Sequence, residues 1–213
     1  MTGYFKNIGL RRIAGMVSGN IILGIGIAVF RASLLGNDPY SAMLLAGAEH
    51  LPVTYSTLLL IVNAAVFSVE ILWGRHFIGI GTFVNWFLLG YVASFFMEVS
   101  AVFQIPERGL FIRLLTVAAG VLVVSLGVSL YQSADLGIAP YDSLSMIISE
   151  HCPLPYFWCR LGTDVVCTAV CFALGGIVNV GTAVCAFGLG PFIHFFDRTV
   201  SFRVLGMEQL NRK

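Results

Sequence analysis

The stretch FIRLLTVAAGVLVVSLGVSLYQSA, Phe111–Ala134, carries one charged side chain, Arg113, and is otherwise a run dominated by Val, Leu, Gly, Ala and Ser. A bilayer core about 30 Å thick is crossed by roughly 20 helical residues at about 1.5 Å each, and this stretch meets that length. Five others do too: Ile13–Leu35, Tyr55–Trp73, Phe77–Met97, Tyr156–Leu174 and Ile177–Phe196. Trp73 and Trp158 stand at span edges as interfacial aromatics, Pro52, Pro106 and Pro153 act as breakers, and Arg75 with His76 occupies a tight turn. The N-terminal Lys6, Arg11 and Arg12 before an apolar run have the look of a signal peptide, but no small-residue cleavage site follows, and the segment is read as a retained span.

The whole chain has the same character. Of its 213 residues 58% are hydrophobic and 11% charged, with mean hydropathy +0.90, against about 45–50% and about 25% in soluble domains. Such an excess of apolar surface has to face something other than water. Net charge is +1 with scattered Lys and Arg, which argues against a nucleic-acid partner. Cys152, Cys159, Cys167, Cys171 and Cys185 form no Cys-x-x-Cys pair and, four of them lying in apolar segments, read as small hydrophobes.

An internal repeat of about 100 residues organises the spans. Gly26 through Gly74 lies on Gly127 through Gly175 without a gap. Leu35-Gly36-Asn37-Asp38-Pro39-Tyr40 matches Leu136-Gly137-Ile138-Ala139-Pro140-Tyr141, and Glu49-His50-Leu51-Pro52 matches Glu150-His151-Cys152-Pro153. After a slip of one residue Gly81-Thr82 matches Gly181-Thr182, and Phe87, Gly90, Phe95 and Phe96 match Phe187, Gly190, Phe195 and Phe196. Between the long spans, Pro39–Leu51 and Pro140–Cys152 are too short to cross and are expected as interfacial or re-entrant half-helices. Each opens on proline at its first helical position, the first with Asp38 placed as its cap.

The expected fold is therefore all-α: a polytopic membrane protein of six transmembrane helices in two three-span repeats, each with a half-helix. The chain is one transmembrane domain, with repeat 1 over about 13–98, repeat 2 over about 111–198 and a cytoplasmic tail over 199–213. Three spans per unit invert the second unit, the plan of many secondary transporters. With the N-terminus inside, Lys6, Arg11, Arg12, Arg75, Arg198, Arg203, Arg212 and Lys213 are cytoplasmic and only Arg108 and Arg113 external, so both termini are expected inside. Were the short segments to cross, Arg75 would trade sides with Arg108 and Arg113 and the repeats would run parallel; segment length decides against this.

Polar groups among lipid tails are costly and mark function. Asn63 and its repeat counterpart Asp164 are the deepest, each well inside its span, and Arg160 lies one turn before Asp164 on the same helical face. This pair is read either as a self-satisfied lock or as a substrate or coupling-ion site near the midplane. The half-helix starts supply Asp38, Tyr40, Tyr141 and Asp142, whose carboxylates suit a cation or proton better than an anion. Arg31, one turn from the end of the first span, can snorkel outward. Glu70, close to Arg75, is expected at the interface. Small residues at four-residue spacing (Gly15 with Gly19, Gly181 with Cys185, Ala186 with Gly190) are expected to let helices approach closely. His50 and His151 each follow a Glu but need no ligand; no metal, cofactor, nucleophile–base pair or nucleotide motif is expected, and an enzyme is not.

The Gly-x-x-Pro-Tyr turns (Gly36–Tyr40 and Gly137–Tyr141), Gly79–Thr82, Val180-Gly181-Thr182 and Gly188-Leu189-Gly190-Pro191-Phe192-Ile193 before Phe195-Phe196-Asp197 resemble the YczE/YyaS/YitT family of bacterial integral membrane proteins, over about Gly19 to Asp197. The first copy departs from the pattern at Tyr91, where the second has Pro191. The resemblance implies a bacterial cytoplasmic membrane and transfers no substrate or catalytic residue. The expected function is transport, in the export direction on one version of the reading, of an unidentified small molecule from a site between the repeats. The alternative is a non-catalytic accessory protein that binds or stabilises other membrane components; homo-oligomerisation is compatible with both. The purified chain is expected to stay monodisperse in detergent and to precipitate when detergent is removed, as size-exclusion chromatography will show.

Overall fold

The computed structural model describes residues 9–36, 38–102 and 104–206. Lys6, Asn37, Arg212 and Lys213, which enter the topology and turn arguments, lie outside the described residues. Every regular element described is helical. In chain order these are α1 (Leu10–Ser33), α2 (Pro39–His50), α3 (Tyr55–Trp73), α4 (Ile80–Ala101), α5 (Leu110–Ser133), α6 (Pro140–His151), α7 (Tyr156–Ala173) and α8 (Val180–Phe196). A π turn, Asp197–Ser201, and a last helical turn, α9 (Phe202–Leu205), continue α8 past residue 198. Leu205 is buried, packing with Met16 of α1.

Five helices are long and apolar enough to cross a membrane: α1, α3, α4, α5 and the continuous stretch Val180–Leu205. The span expected over Tyr156–Leu174 is absent from that set because Arg160 and Asp164 lie on α7 and lower its apolarity, and at 18 residues it is the shortest of the long helices apart from α8 itself. α4 begins and ends about a turn later than Phe77–Met97, since Arg75–Phe77 forms a 3₁₀ turn and the helix starts only after Gly79. The outer surface is apolar: Phe83, Phe87, Tyr91 and Phe95 form one exposed stripe at four-residue spacing along α4, and Val165, Val166 and Phe172 are exposed on α7. Water does not tolerate such a surface at this extent. The protein is a multi-pass helical membrane protein.

The two half-helices are 12 residues each, as their sequences predict. Asp38 accepts the amide of Ser41 at 2.9 Å and caps α2, with proline at the first helical position of both α2 and α6. The turns leading into them share a backbone: Leu34 and Asp135 lie at φ 50° and 51°, Gly36 and Gly137 at φ 118° and 113°. Only glycine adopts the last pair without strain.

Packing crosses between the chain's two halves. α1 lies most extensively on α5, antiparallel: a Cβ at Gly19 would stand 2.9 Å from the Gly127 carbonyl, one at Gly26 2.5 Å from Val124, and one at Gly120 2.8 Å from Phe30. α2 packs on α7 and α6 on α3, so each half-helix rests on a long helix from the other half. The turns clasp the start of α4 and α8 in the same manner, with the Gly81 amide donating to the Leu136 carbonyl and the Gly181 amide to the Leu35 carbonyl, both at 2.7 Å. Arg12 donates to the carbonyls of Ala134 and Asp135, and Arg113 to those of Ser33 and Leu34.

Of the small-residue pairs, Gly15, Gly19 and Gly181 do mediate close approaches, whereas Gly190 has open space around it. Gly19→Ala forces its methyl against the Tyr131 amide (2.6 Å) and is expected to destabilise the bundle by about 1–3 kcal/mol. Gly162→Ala, with nothing within 4 Å, is expected to be neutral or slightly stabilising. Thermal unfolding of the two variants in one detergent checks the contrast.

Candidate functional site

The half-helix starts meet at the centre of the molecule. The rings of Tyr40 and Tyr141 stack in parallel, centroids 4.1 Å apart and planes 5° from coplanar. Each is the second residue of its half-helix, where proline fixes the entry and aims the next side chain inward. Each hydroxyl then reaches across to the deepest polar residue of the adjoining long helix: Tyr40 donates to Asn63 Oδ1 at 2.7 Å, and Tyr141 to Asp164 Oδ1 at 2.6 Å. All four side chains are buried.

Around Tyr141 the polar groups form a charged cluster. Arg160 pairs with Asp142 and, through Nε, approaches Asp164 Oδ1 at 3.6 Å one turn along α7. Its guanidinium also lies over the Tyr141 ring, 4.8 Å from the centroid, a cation–π contact. Gln132 of α5 donates to the second Asp142 oxygen at 3.4 Å. Cys167 faces the Tyr141 hydroxyl at 3.6 Å. Asp38 lies within electrostatic range of Asp164 and Arg160. Asp142 and Asp164 are buried and Arg160 is three-quarters buried. With every group ionised the cluster carries an excess of negative charge in a low-dielectric interior. A proton or a cationic group held there relieves that charge.

Around Tyr40 the positions matching those three charges are neutral, and the carboxyl group nearby is that of Asp38, the cap of α2. Asn63 stands where Asp164 does, and Ser41, within 3.3 Å of the Tyr55 hydroxyl, stands where Asp142 does. Arg31 is exposed and does not join the cluster; it lines two clefts at the far end of α1. The larger, about 490 Å³, lies among Arg31, Leu45, Glu49, Tyr55, Met97 and Glu98. Neither cleft is lined by Asp164. Of the sequence candidates, then, Asp164, Arg160, Asn63, Asp142, Tyr141, Tyr40 and Asp38 come together, and Arg31 stands apart.

Two polar features were not singled out from the sequence. Asn85 donates to Asn20 at 2.6 Å between α4 and α1, and both are buried. Asp197, at the π turn, accepts from Ser129 at 2.8 Å and Ser133 at 3.0 Å; the Ser129/Ser133 spacing of one turn was its readable trace. Glu70, expected at the interface beside Arg75, is instead fully buried, while Arg75 turns back to the Ile71 carbonyl. His50 and His151 sit on the last turns of α2 and α6, each within 3.0 Å of a carbonyl one turn back. Among the described residues no three His, Cys, Asp or Glu side chains are grouped to hold a metal, and the cysteines are free.

Fold and surface thus define a helical integral membrane protein with a buried polar centre. Residues 10–198 match a family of unknown function, DUF6198, and the chain belongs to it. It is 28% identical over 180 residues to the uncharacterized membrane protein YczE of Bacillus subtilis, covering 84% of this chain and 81% of that one. It is 27% identical over 179 residues to an uncharacterized protein of Haemophilus influenzae, covering 82% and 78%. The YczE-type membrane family read from the Gly-x-x-Pro-Tyr turns is therefore the right one. No solved structure matches the chain.

Arg160 holds two carboxylates at once, so its loss leaves both without their cation. Arg160→Leu is expected to cost about 3–5 kcal/mol, read as a lowered unfolding temperature in detergent. Tyr40→Phe, on the neutral side, is expected to cost only about 1 kcal/mol.

Proposed function

We propose that the chain is a small-molecule transporter built from two inverted three-span repeats, with its site between them at the Tyr40–Tyr141 stack. The observation that carries this reading is the Asp142–Arg160–Asp164 cluster, buried where two half-helices from opposite halves meet. Broken or half-length helices converging at mid-depth are how many secondary transporters form a site. The inverted arrangement is supported by the antiparallel crossing of α1 and α5, whose sequences correspond, and by the matched pairs of turn hydrogen bonds. On this reading α7 is the sixth span, its two charges masked by the half-helix that packs beside it, and both termini face the cytoplasm of a bacterial cell. The protein is not an enzyme on this account, and the substrate is a small molecule whose cationic group or proton the carboxylates receive.

A second reading has its own observation. The polar centre lies outside both clefts, and the larger cleft, about 490 Å³ with Arg31, Glu49 and Glu98 on its walls, opens at one end of the bundle. A closed bundle with an open groove suits an accessory protein that holds another membrane component.

Proteoliposome uptake over a panel of small metabolites and amphiphiles, with and without an imposed proton gradient, separates the two. Asp164→Asn retains the Tyr141 hydrogen bond but not the charge, and it is expected to abolish gradient-driven uptake while the protein inserts and unfolds as before. Unchanged uptake in that variant removes Asp164 from the mechanism, and no uptake of any compound by the unaltered protein favours the accessory reading.

A further inference from the structure

Among the described residues Glu70 is the one carboxylate with zero exposure, and neither of its oxygens has a hydrogen-bond partner. It sits on α3 one turn before Gly74, whose amide donates to the Glu70 carbonyl at 2.8 Å. An ionised carboxylate in that setting costs several kcal/mol, so its surroundings matter.

The elements packed on α3 are α2, α4, α6 and the Arg75–Phe77 turn. Their charged and titratable groups are directed elsewhere. Arg75 donates to Ile71. His76 and Glu150 pair with each other at 3.1 Å. His151 stays at the Ile147 carbonyl and His50 at that of Ala46. Asp142 faces Arg160, Tyr40 faces Asn63, and Tyr55 faces Ser41. Glu49 and Glu98 line the cleft with Arg31, and Tyr91 is on the exposed stripe.

The polar side chain that does face Glu70 is Ser143 of α6. Its hydroxyl hydrogen is committed to the Pro140 carbonyl at 2.9 Å. With its hydrogen on that carbonyl, Ser143 keeps lone pairs that can accept from a carboxylic acid at Glu70.

The repeat counterpart supplies a comparison. Cys171, the residue matching Glu70, is also fully buried and packs on Ala42 and Ala46 of α2. An apolar filling thus serves the same half-helix contact in the other half, and packing alone gives no reason for a carboxyl group at Glu70.

We propose that Glu70 is a proton-binding site, distinct from the Asp142–Arg160–Asp164 cluster, that holds its proton against Ser143 and exchanges it at the Arg75–Phe77 end of α3. Ser143 directly follows Asp142 in α6, so the two groups sit on neighbouring faces of one half-helix. Resting on the transport reading, this makes the proton the coupling ion: it loads at Glu70, and a shift of α6 conveys its presence to Asp142.

Infrared spectroscopy of the full chain in lipid nanodiscs tests the site without any transported molecule. At neutral pH the protein is expected to show the carbonyl stretch of a protonated carboxylic acid, lost in Glu70→Gln and kept in Asp164→Asn. Transfer to D2O is expected to shift that band, and raising the pH to remove it. Should Glu70→Gln not fold, Glu70→Asp is expected to displace the band instead. A spectrum that neither Glu70 variant changes, or a Glu70 band that never shifts in D2O, overturns the proposal. Because the band is read at equilibrium, a missing Glu70 signal leaves the transport reading standing, and a protein that shows the band but moves no compound loses only the transport reading.

Discussion

A helix that ends leaves backbone amides and carbonyls without intrahelical partners, and other parts of the protein can supply them. This requirement shapes the two turns after α1 and α5. At the first, Arg113 takes the carbonyls of Ser33 and Leu34, the Gly181 amide takes that of Leu35, and Asp38 takes the Ser41 amide. At the second, Arg12 takes the carbonyls of Ala134 and Asp135, and the Gly81 amide takes that of Leu136. Every one of these partners except Asp38 comes from the opposite half of the chain. The halves are thus locked together by the need to finish each other's broken backbone. The glycines follow from that closeness: a Cβ at Gly79 would lie 2.1 Å from the Leu136 carbonyl and one at Gly181 2.6 Å from that of Leu35.

Much of this was legible because it depends on residue types that have no substitute. Proline at the first helical position placed the start of both half-helices, and Asp38 caps as its position predicts. The Gly-x-x-Pro-Tyr and Gly-Thr motifs were visible as two separate repeated signals. That they touch one another across the halves was not, because contact between distant segments leaves no local periodicity. The Asp164–Arg160 pairing followed from helical spacing, whereas Asp142 as the closer partner needed the packing of α6 on α7. Arg31, read as able to snorkel outward from the end of its span, does turn to the clefts and away from the cluster. The burial of Glu70 was not legible from Arg75 nearby, since Arg75, five residues on, spends its side chain on the Ile71 carbonyl of α3.

A scaffold with such matched hydrogen bonds on its two sides makes the unmatched side chains informative. Backbone geometry asks for the same groups in each half, so what differs answers to something else. Around Tyr141 stand Asp164, Asp142 and Arg160; around Tyr40 stand Asn63, Ser41 and Leu59 at the corresponding positions. The Arg–Asp ion pairs stand on one side of the tyrosine stack. Two identical neutral sides would hold the bundle together without the desolvation cost of a buried ion cluster, which is rarely recovered in net stability.

The same comparison separates fold from function at the half-helix contacts. α2 on α7 is sealed by Ala42, Ala46 and Cys171, and α6 on α3 by Ser143, Ile147 and Glu70. Ile147 fills the space at Gly74 as Ala46 does at Gly176, with a Cβ at either glycine 2.5 Å from its partner, so both contacts are close-packed. A close-packed apolar contact moves as a unit, and a carboxyl group inside one of the two makes that unit sensitive to a single proton while its twin is indifferent. On the proposed transport reading, such a difference lets a proton bias one contact without the other. In this chain the difference lies with Glu70 and with the charges beside Tyr141, both reached through the one half-helix α6.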